Sequence, residues 1–325
     1  MKNITNYLHY FNNSFHQKKF EKLKLFTKIF AKINRFFFED SKILHFYNMM
    51  KNNNANDEAI YTDRFLKMKL FNDSFKNLPK DEEYFEWLSL IDSILKAKNE
   101  FTMIELGAGH GRWGAISHKI TKFFNLNPKI KFCEADPQKV KMLRENLQFN
   151  NIKEDDYFIF NNAISSEKKE INFYIGMPQI NNEENPTLWY GQSISKDYEQ
   201  QEKVSKNQYF GHDVIEFKSK WRAIKISTIS LEDMLQRDET VDLVDMDIQG
   251  AELEVIENSI EIINKKVKKL HISTHSREND KKIKAILAKN KWRKNFAFKC
   301  FSLNLTKNGI ILFNDGHQSW DNTKI

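Results

Sequence analysis

The sequence contains little cysteine, proline or glycine: two, five and ten residues, respectively, among 325. Cys133 and Cys300 do not have the spacing of metal ligands, and we expect both to be reduced, buried thiols. No apolar run approaches the roughly 20 residues that a helix needs to span a bilayer. Residues 1–10 are polar and lack the apolar core of a secretion signal. These absences predict a cytoplasmic protein.

The formal net charge is +7, because 51 lysine and arginine residues outnumber 44 acidic residues. A basic balance suits a nucleic acid or an anionic membrane as a partner. Lysine and asparagine both have AT-rich codons, however, so an AT-rich genome would also explain the excess of basic residues. The length allows one large domain, or one domain with a substantial appendage.

Residues 15–50 combine basic and aromatic side chains. Apolar residues recur there at helical spacing: Phe26, Ile29, Phe30, Ile33 and Phe37. Basic residues fall largely elsewhere around the helix: Lys24, Lys28, Lys32 and Arg35. Such a helix could contact an anionic membrane peripherally, or pack its apolar face on the main domain or on a second subunit of a homodimer. A polar stretch at 52–57 follows, and we predict an N-terminal helical extension over 1–80.

The domain predicted over 81–325 begins with a helical stretch at 81–98 and then alternates strands and helices. Strands are predicted at 102–106, 130–134, 157–161, 242–247 and 269–274, with helices at 138–149 and 250–258. This alternation indicates a mainly parallel sheet covered on both faces, with ligands at the carboxyl ends of the strands. Segments 298–305 and 309–314 predict a closing hairpin, the usual antiparallel finish of such a sheet.

A polar insertion at 180–221 interrupts the alternation. Long irregular segments in compact domains are often lids or binding loops, although a functionless surface excursion has the same composition. The adjacent aromatic residues Trp189 and Tyr190 favour a lid, and we predict that both bind the substrate.

The most specific pattern lies at 101–114, where an apolar run ends in Glu105 and is followed by alternating glycines at 107, 109 and 111. Glycine lets the backbone approach a ligand closely, because no Cβ intervenes. The spacing differs from the Gly-x-Gly-x-x-Gly of dinucleotide-binding folds. It resembles the first motif of class I S-adenosylmethionine (SAM) methyltransferases, although an ordinary tight turn is the alternative. The resemblance implies cofactor contacts from the following residues: Glu105, Gly107, Ala108, Gly109, Gly111 and Trp113.

Two later loops complete the expected cofactor site. A carboxylate at the end of the second strand is expected to accept hydrogen bonds from the ribose, and Glu134 and Asp136 are candidates, of which Glu134 falls directly at the strand end. The loop after the third strand is expected to border the adenine, which makes Asn162 and Ala163 plausible contacts. Asn162 could equally serve only to form the turn.

A second distinctive block follows the strand at 242–247, where Asp247-Ile248-Gln249-Gly250-Ala251-Glu252 resembles the signature of the FkbM family of SAM-dependent O-methyltransferases. Gln249 replaces the commoner glutamate. The resemblance runs from about 101 to 314 and implies a Rossmann-like α/β fold with a mainly parallel seven-stranded sheet. It places Asp247 beside the transferred methyl group, Asp245 near the cofactor and Gln249 near the substrate. Glu252 has an adequate explanation in the helix dipole.

Asp245 and Asp247 could also hold magnesium through their oxygen atoms. Two carboxylates without a visible third ligand do not favour a magnesium site, and we predict no metal.

His271 and His275 lie on one face of the strand at 269–274 if the strand persists. His275 is furthest towards the carboxyl end, so we predict that it is the general base, with Asp247 as the other candidate. Both histidines could instead pack or cap the following turn.

Together these features predict a SAM-dependent O-methyltransferase that acts on a sugar hydroxyl, either in a nucleotide-linked sugar or in a surface glycan such as capsule or lipopolysaccharide. The alternatives are another acceptor (RNA, protein or a secondary metabolite) or a membrane-associated module that uses the basic helix. We expect no nucleic-acid partner, because the Asn/Asp-Pro-Pro-aromatic tetrapeptide of amino-group methylases is absent and no dense aromatic-basic motif occurs in the catalytic portion.

Overall fold

The computed structural model describes residues 81–176, 203–217, 221–236, 240–306 and 309–325, and two short backbone segments, 59–61 and 67–69. The predicted basic helix within 15–50 and the pair Trp189 and Tyr190 lie outside the described residues. Within the segment 1–80, strands β1 (Ala59–Tyr61) and β2 (Lys67–Lys69) form an antiparallel pair.

The remaining elements follow in chain order. The first group is α1 (Glu83–Lys96), β3 (Glu100–Leu106), α2 (Arg112–Phe123), β4 (Asn127–Cys133), α3 (Pro137–Phe149) and β5 (Tyr157–Phe160). The second is β6 (Ala163–Ile164), β7 (Glu170–Gly176), β8 (Lys203–Tyr209), β9 (His212–Glu216), β10 (Arg222–Ile229) and α4 (Leu231–Leu235). The third is β11 (Leu243–Met246), α5 (Glu252–Lys266), β12 (Lys269–Thr274), α6 (Arg277–Lys289), β13 (Arg293–Phe298), β14 (Ser302–Thr306), β15 (Gly309–Phe313) and β16 (Gly316–Asp321).

A seven-stranded sheet with the order β13-β16-β12-β11-β3-β4-β5 organises the fold. Strands β5, β4, β3, β11 and β12 pair in parallel, whereas β16 runs antiparallel to both of its neighbours. All five predicted strands, the helix at the start of the domain and both predicted later helices are therefore confirmed. The loops that follow β3, β4, β11 and β12 meet at one edge of the sheet, and β16 begins at that same edge.

Packing on both faces of the sheet explains why β3 and β12 are almost entirely buried. One face carries a buried cluster that includes Ile91 of α1, Phe132 of β4 and Leu143 of α3. The opposite face carries a second buried cluster, with Ile256 of α5 and Ile283 of α6. Strands that are covered on both sides become nearly continuous hydrophobic runs. The two clusters hold the strand ends rigidly and thereby fix the loops at the carboxyl edge.

The prediction of a closing hairpin is correct for β14 and β15 but wrong about its place in the main sheet. These strands form a separate two-stranded sheet, and β16 supplies the reversed strand. Its sequence, Gly-His-Gln-Ser-Trp-Asp, is mostly polar although every residue is buried. Gln318 donates a hydrogen bond to the carbonyl of Asp280, and Trp320 donates one to Gln318. Hydrogen bonds within the protein replace apolar packing in β16, so a hydrophobic pattern could not predict this strand.

A second sheet contains β6 to β10 and occupies part of the predicted insertion. The described part of that insertion, 203–217, is the hairpin of β8 and β9 rather than an irregular segment. Val214 of β9 is buried with Phe173 of β7 and Ile224 of β10. The hydroxyl oxygen of Tyr209 lies 2.9 Å from Oδ1 of Asp136 and 2.8 Å from Oε1 of Gln138, within hydrogen-bond distance of both, so the hairpin contacts the start of α3.

Within the described ranges, every helix is too short or too polar to span a lipid bilayer. Cys133 and Cys300 are free and buried, as the sequence predicts. Burial raises the pKa of both thiols, which favours their protonated form.

Candidate active site

The turn formed by residues 107–111, hereafter the glycine turn, connects β3 to α2. The backbone N–H groups of Gly107 and Ala108 donate to the carbonyl of Cys133, at 2.9 and 3.1 Å. The N–H of Asp247 donates to the carbonyl of Leu106 at 2.9 Å. A Cβ atom on Gly107 would lie 1.9 Å from the carbonyl oxygen of Asp247, and its φ of +77° is one that side chains rarely adopt. Glycine at 107 therefore allows the loops after β3 and β11 to touch.

Glu105 is the buried last-but-one residue of β3, and its Oε2 atom accepts a hydrogen bond from the N–H of Gly114 at 2.8 Å. Burial and the neighbouring Asp245 hold its pKa well above the usual value, although the N–H groups of Gly114 and Trp113 oppose this. The carboxyl group satisfies backbone donors in the first turn of α2. Its observed contacts thus hold the glycine turn against the helix.

Glu134 links the glycine turn to the loop after β4. Its Oε2 atom accepts from the N–H of Gly109 at 2.6 Å, and its Oε1 atom accepts from the N–H of Asp136 at 2.8 Å. A Cβ atom on Gly109 would have no described heavy atom within 4 Å, so the outer side of the turn opens into free space. Burial raises the pKa of Glu134, while the two N–H donors and Lys139 act in the opposite direction.

Four other predicted cofactor residues lie nearby but make packing or turn contacts. Asp136 is fully buried and caps α3 by accepting from the N–H of Gln138 at 2.9 Å. Trp113 packs edge-on against Trp87 of α1, with ring centroids 5.3 Å apart. Asn162 donates to the carbonyl of Ser227 at 3.1 Å, and Ala163 is buried in β6.

Asn161, which the sequence did not single out, ties the loop after β5 to the loop after β4. Its side-chain amide donates to the carbonyls of Glu134 and Ala135, at 3.0 and 3.1 Å. An asparagine just beyond a strand is a common turn former, so nothing in the local sequence distinguished Asn161 from Asn162.

Asp245, Asp247 and Gln249 border the glycine turn on the side of β11. Asp245 lies beside Glu105 in the register of the sheet, and burial followed by the charge of Asp247 raises its pKa to about 7. The side chain of Asp247 is 51% exposed, and Gln249 donates to its Oδ1 atom at 3.3 Å. Gln249 has a φ of +53°, which marks a sharp turn before α5.

His275 follows β12 and stands among three carboxylates, those of Asp247, Glu252 and Asp315; we call these four residues the His275 cluster. Its Nδ1 atom is 2.9 Å from Oε1 of Glu252. Its Nε2 atom is 3.3 Å from Asp247 and 3.8 Å from Asp315. Nε2 is buried and has no hydrogen-bond partner among the described residues.

The electrostatics of this cluster are dominated by ion pairing. Burial acts to lower the pKa of His275, but Asp247 and Glu252 outweigh it and hold this pKa well above the usual value. Burial acts to raise the pKa of Asp247, but His275 outweighs it and lowers this pKa. Both shifts favour the ion pair of a protonated His275 ring with an ionised Asp247. Burial raises the pKa of Asp315 to about 6.

Residues of α1 and β16 extend the cluster and were not predicted as site residues. Glu82 accepts hydrogen bonds from the N–H and side-chain amide of Asn314, both at 2.6 Å, and so holds the loop that carries Asp315. His317 is buried beside His271, with 3.3 Å between their ring nitrogens, and burial lowers the pKa of His317 to about 4. Burial raises the pKa of Glu86 strongly. Because β16 itself was not predicted, the sequence offered no reason to place His317 here.

Among the residues that the structure describes, two groups of side chains have ligand atoms within 4.8 Å of one another, as a metal would require: Asp247, Glu252 and His275, and Glu86, His271 and His317. In the first group, Glu252 and Asp247 face different nitrogens of the same ring. In the second, His271 uses one nitrogen for Ser89 and the other for His317. Hydrogen bonds and ion pairs within the protein account for both groups, and we assign neither to a metal.

This arrangement combines an open backbone turn, a buried carboxylate beside it, and a histidine at the same edge of the sheet whose Nε2 atom is ion-paired with Asp247 but makes no hydrogen bond among the described residues. It can hold a small molecule against Gly109 and Glu134. It can also accept a proton at Nε2 of His275 once the ring is neutral. Trp189 and Tyr190, the predicted substrate contacts, lie outside the described residues.

Comparison with known proteins identifies the family. The Methyltransferase FkbM domain family matches residues 105–293, more than half of the chain. A protein of Jannaschia sp. (strain CCS1), described as a presumed methyltransferase, is 24% identical over 209 residues, which cover 64% of this chain and 67% of that protein.

Solved structures with similar folds include a methyltransferase FkbM from Methylobacillus flagellatus KT, with a TM-score of 0.39 and 14% identity over 76% of this chain and 59% of that one. The precorrin-6y C5,15-methyltransferase of Geobacter metallireducens GS-15 has a TM-score of 0.39 and 12% identity over 76% of this chain and 90% of that one. The family match includes Glu105, the glycine turn, Glu134 and His275. The chain belongs to the FkbM family of methyltransferases.

Proposed function

We propose that this protein transfers a methyl group from SAM to a hydroxyl group of a sugar, in a nucleotide-linked sugar or a surface glycan. The observation that carries the proposal is the position of His275, whose Nε2 atom is buried without a hydrogen-bond partner among the described residues. An imidazole nitrogen in such a place can take the proton of a hydroxyl acceptor.

The residues at the glycine turn fit SAM as a cofactor. Gly109 leaves open space where any other residue would place a side chain. Glu134 uses one lone pair of each oxygen for a backbone N–H group, and a carboxylate has further lone pairs for ribose hydroxyls. When bound, SAM supplies a methyl group on a positively charged sulfur.

The groups proposed for the acceptor side, Asp247, His275 and Asp315, support a polyhydroxyl substrate. Carboxylates and neutral imidazole nitrogens accept hydrogen bonds, and the hydroxyls of a sugar donate them. Asp247 is the most accessible of these groups because its side chain is half exposed. Methyl transfer to oxygen depends chiefly on holding the acceptor in line with the methyl group, so this hydrogen bonding supplies orientation.

His275 is a better candidate for the general base than Asp247. The pKa of Asp247 is lowered by His275, and a carboxylate with a lowered pKa is a weak proton acceptor. The raised pKa of His275 makes the neutral ring a stronger base. The same property means that turnover requires loss of the ring proton first, so activity should increase towards alkaline pH.

Gly109→Ala is expected to weaken SAM binding by about tenfold or more while the protein still folds, because the new methyl group occupies the open side of the turn at a φ of +56°. Gly111→Ala is a comparison for packing, since its Cβ atom would lie 2.1 Å from Leu143 in the core and should lower the melting temperature. Calorimetric SAM titration and thermal unfolding of both variants measure the difference. Unchanged SAM affinity in folded Gly109→Ala would contradict the cofactor site.

The acceptor is tested by methyl-donor turnover against nucleotide sugars and purified capsule or lipopolysaccharide, with RNA and protein as the competing substrates. Product analysis should find the methyl group as an ether on a sugar carbon. Parallel assays in excess EDTA test the prediction that the reaction needs no metal, and we expect unchanged turnover. Methylation of RNA or protein, with no reaction on any carbohydrate, would overturn the proposed acceptor.

A further inference from the structure

Glu252 lies in the first turn of α5, where the helix dipole alone would explain an acid. Glu278 occupies the corresponding turn of α6 and shows what that explanation predicts: its side chain is 71% exposed and pairs with Lys282 at 2.8 Å. The side chain of Glu252 is instead completely buried. Burying a carboxylate is costly unless a specific partner offsets the lost hydration, so the dipole does not account for its position.

The partner of Glu252 is His275. Oε1 of Glu252 accepts from the N–H of Gly250 at 2.8 Å and lies 2.9 Å from Nδ1 of His275, while Oε2 has no partner among the described residues. Among those residues, His275 is also the only cationic side chain within ion-pair distance of Glu252. A carboxylate can only accept hydrogen bonds, so Nδ1 of His275 is the donor.

This contact determines what the other ring nitrogen can do. With the proton held on Nδ1, the neutral ring has its lone pair on Nε2, the nitrogen that lies 3.3 Å from Asp247 and 3.8 Å from Asp315. The groups that face the ring are therefore Glu252 from α5, Asp247 after β11, and Asp315 and His317 at the start of β16. Of these, only Glu252 contacts Nδ1.

We propose that Glu252 is the positioning residue of the methyl transfer: it holds His275 with Nδ1 protonated and Nε2 directed towards the acceptor hydroxyl. This inference rests on the proposed function, because it assigns the orientation of the base in that reaction. In the transfer, the hydroxyl oxygen forms a bond to the methyl carbon, the carbon–sulfur bond breaks with its electron pair left on sulfur, and the hydroxyl proton moves to Nε2.

The first test needs no acceptor. Nitrogen-15 NMR of histidine-labelled full-length protein, with His275 assigned from the missing signal of His275→Gln, should find Nδ1 protonated in the neutral ring of the wild type. In Glu252→Gln, loss of the charge should move the titration of His275 to lower pH by about one unit or more. Glu278→Gln, the matched exposed acid, should leave the titration unchanged. A wild-type ring protonated on Nε2, or a titration that Glu252→Gln does not move, would overturn the inference even if that variant folds poorly.

The second test uses whichever acceptor the enzyme methylates. Glu252→Gln should lower kcat by about tenfold or more, as expected for losing a hydrogen bond to a charged group, and shift the acidic limb of the kcat/KM profile to lower pH. SAM affinity should stay close to that of the wild type. A lower kcat with an unshifted pH profile would assign Glu252 a purely structural role. Failure to methylate any carbohydrate would overturn the proposed acceptor and leave the NMR result standing.

Discussion

His275→Ala is expected to lower kcat by about 10²- to 10⁴-fold while SAM affinity stays nearly unchanged. The substitution removes the one group in the His275 cluster that combines a raised pKa with a buried nitrogen that makes no hydrogen bond among the described residues. The glycine turn and Glu134 keep their contacts, because the hydrogen bonds of Gly109 with Glu134 and of Asp247 with Leu106 do not include His275. The loss should therefore appear in the chemical step.

Single-turnover rates measure the chemical step of His275→Ala, and calorimetric SAM titration measures its cofactor affinity. His212→Ala is the matched control, because His212 lies on β9 in the second sheet and bonds only to the carbonyl of Lys225 among the contacts described. It should retain wild-type turnover. A near-normal rate in His275→Ala, with the protein folded, would remove His275 from the reaction and leave Asp247 as the base.

The pH dependence of the wild type should agree with this role. The base must be neutral, and the pKa of His275 is held well above 6.5 by Asp247 and Glu252 despite burial. The rate should therefore be low at acidic pH and rise as the pH passes through that raised pKa. Asp315, with a pKa of about 6, lies 3.8 Å from Nε2 of His275, and its ionisation strengthens the hold on the ring proton.

The parts of this fold that the sequence predicted are those in which a hydrophobic run and a turn signal coincide. Strands β3, β4, β11 and β12 each contain buried apolar residues because helices cover both faces of the sheet. A glycine or an acid follows β3, β4 and β11, and His275 follows β12. The glycine turn was recognisable because Gly107 must approach the backbone of Asp247, a requirement that no other residue meets. Local sequence is sufficient for such features.

The contacts that assemble the acceptor side are non-local, and this is why they were missed. β16 is buried by hydrogen bonding rather than by apolar packing, so it carries no strand pattern. Asp315 and His317 reach the site only because β16 pairs beside β12. Glu82 lies before the glycine turn in the sequence and accepts a hydrogen bond from Asn314, which is 232 positions further along the chain. Glu252 was assigned to the dipole because sequence alone does not report burial.

Glu134→Gln is expected to weaken SAM binding by about 10- to 150-fold, the range for losing a hydrogen bond to a charged group. An amide has one accepting oxygen, whereas Glu134 uses both of its oxygens for the N–H groups of Gly109 and Asp136. One N–H group would lose its acceptor, and the glycine turn would lose its fixed distance from β4. The charge expected to hold the ribose would also be lost.

Glu134→Gln and His275→Ala should change different constants: the first should weaken SAM binding, whereas the second should lower kcat. At saturating SAM, Glu134→Gln should recover most of the wild-type kcat, because the His275 cluster lies on the other side of the glycine turn and keeps its own ion pairs. Glu232→Gln, an exposed acid on α4, should leave both constants unchanged. Direct SAM titration and KM for SAM, measured on protein whose thermal unfolding matches the wild type, provide the comparison. Equal SAM affinity in folded wild type and Glu134→Gln would mean that Glu134 only organises the two loops, and the ribose contact would have to come from another residue.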